Sequence, residues 1–277
     1  MSGPSRHAPL IEKYFDGFGD EEWGRLTRAP IDEISLHIHA TWLARHVARG
    51  DRVLEIGAGA GRFTELLHRI GARVVVADVS AVQLDFNRKH GAEIGFDASV
   101  ESRVRADICD MRAFADASFD AVVAYGGPLS YALERRDDAA AECARVARPG
   151  GVLLASVMSL WGTLNRWYGN FVRAPSAMLE RFIETGDLTP ETAPGTVHPC
   201  HHYRADELRS LLGRHGWNDV RLAASHGVAH LYDPILAQAR ARPDVWSRLL
   251  STELASAESP GYVEVGTHIL AAATRAG

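Results

Sequence analysis

The stretch 53-VLEIGAGAGRFT-64 joins an apolar segment to a glycine-rich turn and then to the start of a predicted helix. Gly57, Gly59 and Gly61 allow a tight turn, and they let a ligand approach the backbone where a Cβ atom would clash. The helix, predicted from Arg62 to about Ile70, begins with unpaired N–H groups that suit a polar or anionic ligand group. This stretch therefore predicts a strand, a turn and a helix with a ligand at the turn.

The spacing of the glycines distinguishes among ligands. A nicotinamide or flavin fingerprint has the pattern G-x-G-x-x-G, whereas here the third glycine comes one residue earlier and Arg62 occupies the sixth position. Glu55 lies two residues before the first glycine. The pattern acidic-x-G-x-G-x-G after a first strand resembles motif I of the class I S-adenosylmethionine (SAM) methyltransferases. A tight turn without a ligand is the alternative.

Further features of this family follow in the family's order between Gly50 and Met158. The apolar run Arg73–Asp78 is typical of a buried parallel strand, and an acid at its end can accept hydrogen bonds from both ribose hydroxyls of a nucleoside. The remaining features are the pair Asp107 and Ile108, the strand and exit loop Ser118–Pro128, and the turn Arg148–Gly151. Together with the glycine turn they make the resemblance specific.

The resemblance implies a Rossmann-like α/β fold. Its seven-stranded, mostly parallel sheet has the order 3-2-1-4-5-7-6 with the last strand antiparallel. A chain of 277 residues fits one elaborated domain. The predicted parts are an N-terminal helical cap (1–49), a SAM-binding core (50–158), an aromatic lid insertion (159–203), C-terminal core elements (204–226 and 262–277) and a second insertion (227–261).

The resemblance also implies SAM as methyl donor, with S-adenosylhomocysteine as product. In the family, an acid followed by an apolar residue contacts the adenine, a role that Asp107 and Ile108 match. Asp110 is a rival acid, and a solvated turn is the alternative for both acids. The predicted cofactor contacts are Glu55, Gly57, Gly59, Gly61, Asp78, Val79, Gln83, Asp107, Ile108, Tyr125 and Gly126.

The insertion after Met158 is rich in aromatic residues. Long insertions in compact domains are commonly functional, often as lids, and aromatic faces suit an apolar or aromatic acceptor and stabilise cations. A cap that packs on itself is the alternative. The predicted acceptor contacts are Tyr131, Trp161, Trp167, Tyr168, Phe171 and Tyr203.

The run 198-HPCHH-202 suggests a zinc site, but its residues are consecutive and form neither Cys-x2-Cys nor His-x3-His. We therefore predict no metal site. His201 and His202 are predicted catalytic residues, because a histidine near neutrality can take a proton from the acceptor. Packing of these rings on Tyr203 is the alternative.

The N-terminal segment adds a third predicted catalytic residue. Many small-molecule methyltransferases carry a similar preface that closes over the cofactor, with a tyrosine and a Glu-Trp-x-Arg-Leu run. By this resemblance Tyr14 is predicted to act at the reaction centre, and Trp23 and Arg25 to touch SAM or acceptor. Aromatic packing within the cap is the alternative.

Charge and motif absences indicate the kind of partner. A net charge of −5 without a basic block argues against nucleic acid. The loop Tyr125–Ser130 lacks the Asn/Asp-Pro-Pro-Tyr/Phe motif of methyltransferases that act on nucleic-acid or protein amino groups, which favours a small-molecule acceptor. Three scattered cysteines, no signal-like start and no apolar run of membrane-spanning length predict a cytoplasmic protein without membrane attachment. The oligomeric state is left open, a homodimer being one option.

The predicted reaction is in-line SN2 transfer of a methyl group from SAM to a nitrogen or carbon atom of a small, aromatic or alkaloid-like natural product. A hydroxyl acceptor usually needs a base or a metal, and the lack of a convincing metal site favours nitrogen or carbon slightly over oxygen. Four alternatives are O-methylation with a histidine base, a nicotinamide-dependent oxidoreductase, a catalytically silent SAM-binding protein, and a macromolecular acceptor. The glycine spacing and the pair Asp107 and Ile108 argue against the oxidoreductase.

Overall fold

The computed structural model describes residues 5–229 and 233–277. Its helices are α1 Ala8–Phe18, α2 Glu21–Gly24, α3 Pro30–His46, α4 Arg62–Ile70, α5 Ala81–Ile94, α6 Pro128–Tyr131, α7 Arg136–Val146, α8 Leu160–Arg166, α9 Tyr168–Phe171, α10 Ser176–Thr185, α11 Ala205–Arg214, α12 Asp233–Arg240 and α13 Pro243–Ser256. Its strands are β1 Arg52–Ile56, β2 Arg73–Asp78, β3 Val100–Arg105, β4 Phe119–Ala124, β5 Ala147–Met158, β6 Asp187–Leu188, β7 Cys200–His201, β8 Trp217–Ala224 and β9 His268–Arg275.

Seven of these strands form one sheet in the order β3-β2-β1-β4-β5-β9-β8. Strands β3, β2, β1, β4 and β5 are parallel, and β9 runs antiparallel to both β5 and β8. Since β8 and β9 are the sixth and seventh strands of this sheet in chain order, the predicted order 3-2-1-4-5-7-6 is confirmed. The short strands β6 and β7 pair with each other inside the lid insertion.

Helices cover both faces of the sheet, as the apolar runs of its central strands require. Successive side chains of a strand point to opposite faces, and the neighbours Val53 and Leu54 accordingly belong to two different buried clusters. The cluster of Leu54 also contains Trp217, and the cluster of Val53 contains Ile38 and Trp42 of α3. The sheet is thus the middle of three layers, with its carboxyl edge free for a site.

The segment between β4 and β5 is divided into short helices. The structure has α6, a short 3-10 helix at Leu133–Arg135 and then α7. Leu133 has a φ of 49°, a left-handed conformation that a continuous α-helix cannot contain. The break separates α6, which lies at the end of the sheet, from α7, which packs on β4 and β5.

The two insertions form helical additions to this core. In the lid, Leu160, Phe171 and Phe182 form a small cluster of their own, and the rings of Phe171 and Phe182 stack with centroids 5.1 Å apart. In the second insertion, α12 and α13 pack against α3. None of the helices that the structure describes combines the length and the apolar character needed to cross a membrane.

Candidate active site

The glycine turn after β1 shapes the first cavity of the molecule. Gly57, Gly59 and Gly61 have φ angles of 73°, 53° and 103°, which residues with a Cβ atom rarely adopt. A Cβ at Gly57 would lie 2.4 Å from Cγ of Pro128, and one at Gly61 would lie 2.8 Å from the ring of Phe96. The turn therefore depends on glycine both for its backbone and for its packing.

The cavity beside this turn lies at the carboxyl ends of β1, β2 and β4, and we refer to it as the turn pocket. It is lined by nine of the eleven predicted cofactor contacts: Gly57, Gly59, Asp78, Val79, Gln83, Asp107, Ile108, Tyr125 and Gly126. The described lining does not include Glu55 or Gly61. Glu55 is buried, accepts a 2.6 Å hydrogen bond from the hydroxyl of Thr64, and has its pKa raised to about 8 by burial.

Asp78 is fixed at the end of β2 by backbone amides. Its Oδ2 accepts a hydrogen bond from Gly59 N at 2.8 Å, and its Oδ1 accepts one from Ser80 N at 2.9 Å. Burial raises the pKa of this carboxyl to about 6 even though these amides favour the charged form. The carboxylate is therefore held in one orientation at the wall of the turn pocket.

Residues 8–28, the first part of the predicted N-terminal helical cap (1–49), cover the turn pocket, and from here on we call these residues alone the N-terminal cap. Gln83 Nε2 donates to the carbonyl oxygens of Phe15 and Gly19, at 2.9 and 3.0 Å. Arg62 donates to the carbonyl of Trp23 at 2.7 Å and lies over the Trp23 ring, 3.8 Å from its centroid. The Oε1 atom of Gln83 is buried and has no partner among the described residues, so the pocket presents an unused acceptor.

Tyr14 lies in the N-terminal cap, but the described linings of the cavities do not include it. Its ring stacks on His198 with centroids 4.2 Å apart, and His198 in turn lies 5.0 Å from the ring of Tyr131. Burial raises the pKa of Tyr14 above 10.0. Tyr14 therefore packs against other aromatic rings, which is the alternative stated for it in the sequence analysis. It does not reach the cavities, where its predicted catalytic role would place it.

His201 and His202 also lie outside the described cavity linings, which disagrees with the predicted catalytic role. His201 is 1% exposed, and its two ring nitrogens lie 2.7 Å from Asp187 Oδ1 and 2.8 Å from Glu207 Oε1. Both nitrogens are therefore occupied by carboxylates. His202 packs edge-on against Phe182 at 5.0 Å, and burial lowers its pKa to about 3.

The six predicted acceptor contacts are spread over five environments. Tyr131 lines the turn pocket, and Trp167 lines a second cavity described below. Trp161 and Tyr168 are exposed on the lid, and Phe171 is buried in the lid's own cluster. Tyr203 is fully buried and donates a 3.1 Å hydrogen bond to the carbonyl of Leu129.

A second cavity adjoins the turn pocket, and we refer to it as the histidine cavity. Its lining includes three histidines, His39, His226 and His268. The residues that line both cavities are Arg25, Leu26, Phe63 and Gly126. The two cavities therefore meet between the end of β4 and the N-terminal cap.

Three separate elements bring the histidines together. His39 lies on α3, one turn after Ser35, whereas His226 follows β8 and His268 begins β9. Because β8 and β9 are antiparallel, the end of one and the start of the other meet at the same sheet edge. Thr267 N donates a 3.3 Å hydrogen bond to Nε2 of His226, and Ser225 N donates a 3.0 Å hydrogen bond to the carbonyl of His268.

Two of the three imidazoles in the histidine cavity have lowered pKa values. Burial lowers the pKa of His39 to about 4, with a further lowering by the positive charge of Arg25. Loss of hydration also lowers the pKa of His268 well below 6.5. Neutral imidazoles are hydrogen-bond acceptors and proton acceptors, so this cavity can serve acid-base chemistry beside the turn pocket.

Sequence reasoning missed these three histidines, although a signal was present. Ser35 and His39 lie one helical turn apart within the apolar face formed by Ile34, Ile38 and Trp42, and polar residues on such a face are informative. His226 and His268 flank the last two strands. Among residues 5–229 and 233–277, no group of three or more histidine, cysteine, aspartate or glutamate side chains could hold a metal ion.

Known proteins resemble this chain in sequence and in fold. A family described as a methyltransferase domain matches residues 54–155. A protein of Xanthomonas oryzae pv. oryzae named ubiquinone biosynthesis O-methyltransferase is 35% identical over 239 residues, which cover 85% of this chain and 86% of the relative.

Two solved structures share the fold. One is a putative methyltransferase in complex with the Haloferax volcanii methyltransferase activator Trm112, with a TM-score of 0.60, 20% identity and coverage of 96% of this chain and 98% of the other. The second is Haemonchus contortus phosphoethanolamine N-methyltransferase 2 in complex with SAM, with a TM-score of 0.55, 17% identity and coverage of 86% and 52%.

The residues of the turn pocket fit SAM independently of these comparisons. Its glycine turn leaves room where side chains would clash, Asp78 offers a fixed carboxylate, and Gln83 offers an unused acceptor. Together with the relative's 35% identity over most of both chains, these features lead to one conclusion: the chain belongs to the class I SAM-dependent methyltransferases, with SAM as its cofactor.

Proposed function

We propose that this methyltransferase transfers the methyl group of SAM to a small molecule bound in the histidine cavity. The observation that carries the proposal is the junction of the two cavities at Arg25, Leu26, Phe63 and Gly126. Methyl transfer needs donor and acceptor in line and in close contact. A donor in the turn pocket and an acceptor in the histidine cavity meet at this junction.

Within the turn pocket we assign roles by geometry. Asp78 would accept hydrogen bonds from the ribose hydroxyls, since its two oxygens are already oriented by Gly59 and Ser80. For the adenine end, Asp107 is preferred over Asp110, because Asp110 makes hydrogen bonds of 2.6 and 2.7 Å with the exposed guanidinium of Arg112. The glycine turn would hold the methionine portion.

The protein does not need to activate the methyl donor. SAM supplies a methyl group on a positively charged sulfur, which is already a good leaving group. The side chains of this protein would bind, orient and exclude water. Phe63 and Tyr125 pack edge to face with ring centroids 5.1 Å apart, and both are buried, so their rings would help to exclude water beside the junction.

The nature of the acceptor is part of this proposal. The nitrogen or carbon acceptor predicted from the sequence rested on the lack of a convincing metal site. The three histidines weaken that argument, because an imidazole base would let a hydroxyl react without a metal. The name of the Xanthomonas relative makes an oxygen atom the first class to test. We also propose that the parts bounded at residues 49, 158, 203, 226 and 261 act as a single domain. Every part except the second insertion contributes to the sheet or to its two cavities, and α12 and α13 of that insertion pack against α3.

A labelling experiment tests the proposal. The purified protein would be incubated with methyl-labelled SAM and three separate fractions of its source organism, namely small molecules, RNA and protein. We expect label in a small organic product, identified by mass spectrometry. Label found solely in RNA or protein, or tight SAM binding without any transfer, contradicts the proposal.

Replacing Asp78 with alanine is expected to weaken SAM binding by about 10- to 100-fold, the worth of hydrogen bonds to a charged acceptor. Because the pKa of Asp78 is about 6 and the carboxylate is the form that accepts from two hydroxyls, SAM affinity of the wild type should also fall as the pH drops below about 6. Calorimetry of SAM binding measures both effects.

The matched control for this prediction is Asp110→Ala, which removes an acid from the same sheet edge but from the exposed pair with Arg112. Its SAM affinity should match the wild type. Equal losses in the two variants, or no loss in Asp78→Ala, would show that Asp78 does not hold the ribose.

A further inference from the structure

The proposed function leaves one chemical question open, namely where the acceptor's proton goes. Resting on that function, we infer that His39 is a catalytic residue that takes the proton of a phenolic or enolic hydroxyl, and that the acceptor is a conjugated hydroxyl compound. The inference rests on the tautomer of His39, its place at the cavity junction and the charges around it.

A backbone hydrogen bond determines the tautomer of His39. Its Nδ1 lies 2.8 Å from the carbonyl oxygen of Ser35, and a carbonyl oxygen can only accept. Nδ1 therefore carries the proton in the neutral ring, and Nε2 carries the lone pair. A histidine whose second nitrogen is held in this way is oriented as a base.

His39 lies beside residues at the place where the two cavities meet. Its ring lies 4.8 Å from that of Tyr125 and 5.5 Å from that of Phe63, and these residues line the turn pocket as well. His226, in contrast, already accepts the amide hydrogen of Thr267 at its Nε2. His268 starts β9, which is separated from β4 by β5.

Several charged or titratable groups surround His39, and they come from every neighbouring element. They are Arg25 of the N-terminal cap, Asp32 of α3 itself, Tyr125 at the end of β4, Arg166 of α8, and His226 and His268 at the edge of β8 and β9. Burial raises the pKa of Tyr125, so this phenol stays protonated and cannot take the acceptor's proton. Asp32 accepts a hydrogen bond from Ala29 N at the start of α3. His39 is the group best placed for the proton.

The step balances without any further reactant. The hydroxyl oxygen forms a bond to the methyl carbon as the carbon–sulfur bond breaks with its electron pair moving to sulfur. The hydroxyl proton passes to Nε2 of His39, which becomes an imidazolium and later releases the proton to water. The acidity of a hydroxyl rises steeply as its oxygen is alkylated, so even a weakly basic imidazole accepts the proton late in the transfer.

The surroundings select the class of acceptor. Arg25 forms an ion pair with Glu22 at 2.8 Å. Both residues line the turn pocket, and Arg25, unlike Glu22, lines the histidine cavity too. A guanidinium there disfavours a protonated amine and favours a hydroxyl that is losing its proton. The rings of Phe63 and Trp167 in the lining suit a flat conjugated acceptor. An aliphatic alcohol is far less acidic than a phenol and would need a stronger base.

The test compares two acceptors that differ in acidity. Catechol keeps its protons at neutral pH, whereas 4-nitrocatechol is largely ionised and needs little help from a base. For His39→Gln we expect kcat with catechol to fall by about 100-fold or more, with KM nearly unchanged. With 4-nitrocatechol the loss should be much smaller, and raising the pH should narrow the gap between variant and wild type.

His37→Gln is the matched control, because His37 lies on the same helix but is not among the described cavity residues. Its rates should equal those of the wild type. Calorimetry of SAM binding shows whether His39→Gln remains folded, and added imidazole should restore part of the catechol rate in His39→Ala. Both readouts separate a base from a residue that merely packs.

Each outcome decides the inference. Equal losses with both catechols would make His39 a packing residue. Methylation of aniline but of no phenol would overturn the inference while the proposed function stands. If the protein binds SAM but methylates no small molecule, whether from the extract or among the probes, the proposed function falls and the inference falls with it.

Discussion

Replacing His201 with glutamine is expected to lower the free energy of unfolding by about 2–3 kcal/mol. Breaking a buried ion pair costs about 3–5 kcal/mol, and the value is reduced here because Asp187 and Glu207 are each about one-third exposed. His201 ties β6 of the lid to α11 of the core, since Asp187 belongs to β6 and Glu207 to α11. The loss should appear in urea denaturation, followed by fluorescence of the lid tryptophans.

The pH dependence of this effect follows from the directions of the pKa shifts. Burial lowers the pKa of His201, but its hydrogen bonds to the two carboxylates outweigh burial and leave the pKa above 6.5. Its stabilising contribution is therefore complete below pH 6.5 and is lost as the pH rises through the raised value. Burial raises the pKa values of Asp187 and Glu207, but the hydrogen bonds to His201 leave them below 3.8 and 4.5. Their contribution is lost as the pH falls through those lowered values, so the His201→Gln deficit should be largest between pH 4.5 and 6.5.

His215 provides the comparison for this prediction. Its Nε2 lies 2.8 Å from Asp137 Oδ1, the same distance as in one of the His201 pairs, but Asp137 is 56% exposed. Exposed pairs contribute about 0–1 kcal/mol, so His215→Gln should change stability little. Similar losses in the two variants would show that burial of His201 does not determine its contribution.

Gly57→Ala is the second change with a large expected effect, a loss of about 2–4 kcal/mol in stability together with loss of measurable SAM binding. The left-handed φ of 73° costs a residue with a Cβ about 1–2 kcal/mol. The added Cβ would also lie 2.4 Å from Cγ of Pro128, and overpacking of this kind costs about 1–3 kcal/mol. Relief of the clash must move either the turn or the loop after β4, and both line the turn pocket.

Gly50→Ala separates the cost of the left-handed backbone conformation from the cost of the contact with Pro128. Gly50 has a φ of 89°, and a Cβ there meets nothing within 4 Å. This variant should lose about 1–2 kcal/mol and keep its SAM affinity in calorimetry. If Gly57→Ala loses no more than Gly50→Ala in denaturation, the contact with Pro128 does not constrain the turn.

The parts of the protein that could be predicted from the sequence are those encoded by short stretches. The glycine turn, the apolar run ending in Asp78 and the pair Asp107 and Ile108 each depend on local spacing. A parallel sheet then brings their ends to one edge without further information. For this reason most of the turn pocket followed from these motifs, and the strand order followed from the family resemblance that they carry. Glu55 is an exception, because it faces Thr64 beneath the turn.

The histidine cavity could not be predicted in the same way, because its residues come from distant parts of the chain. His39, His226 and His268 meet only once α3 is packed on the sheet and β9 is paired with β8. The same limitation explains the predictions for His201 and His202. Two adjacent histidines suggest a catalytic role. The carboxylates that bind the ring nitrogens of His201 lie 14 residues before it and 6 residues after it in the chain, so the local sequence does not predict this pairing.

The N-terminal cap has a consequence for repeated turnover. Arg25 and Leu26 are walls of both cavities, and the same segment is fastened over the glycine turn through Gln83 and Arg62. The N-terminal cap therefore closes both cavities. A movement of this segment that releases S-adenosylhomocysteine from the turn pocket also exposes the molecule bound in the histidine cavity. An acceptor with two sites for methylation should accordingly leave between rounds, and singly methylated product should accumulate in solution before the doubly methylated form appears.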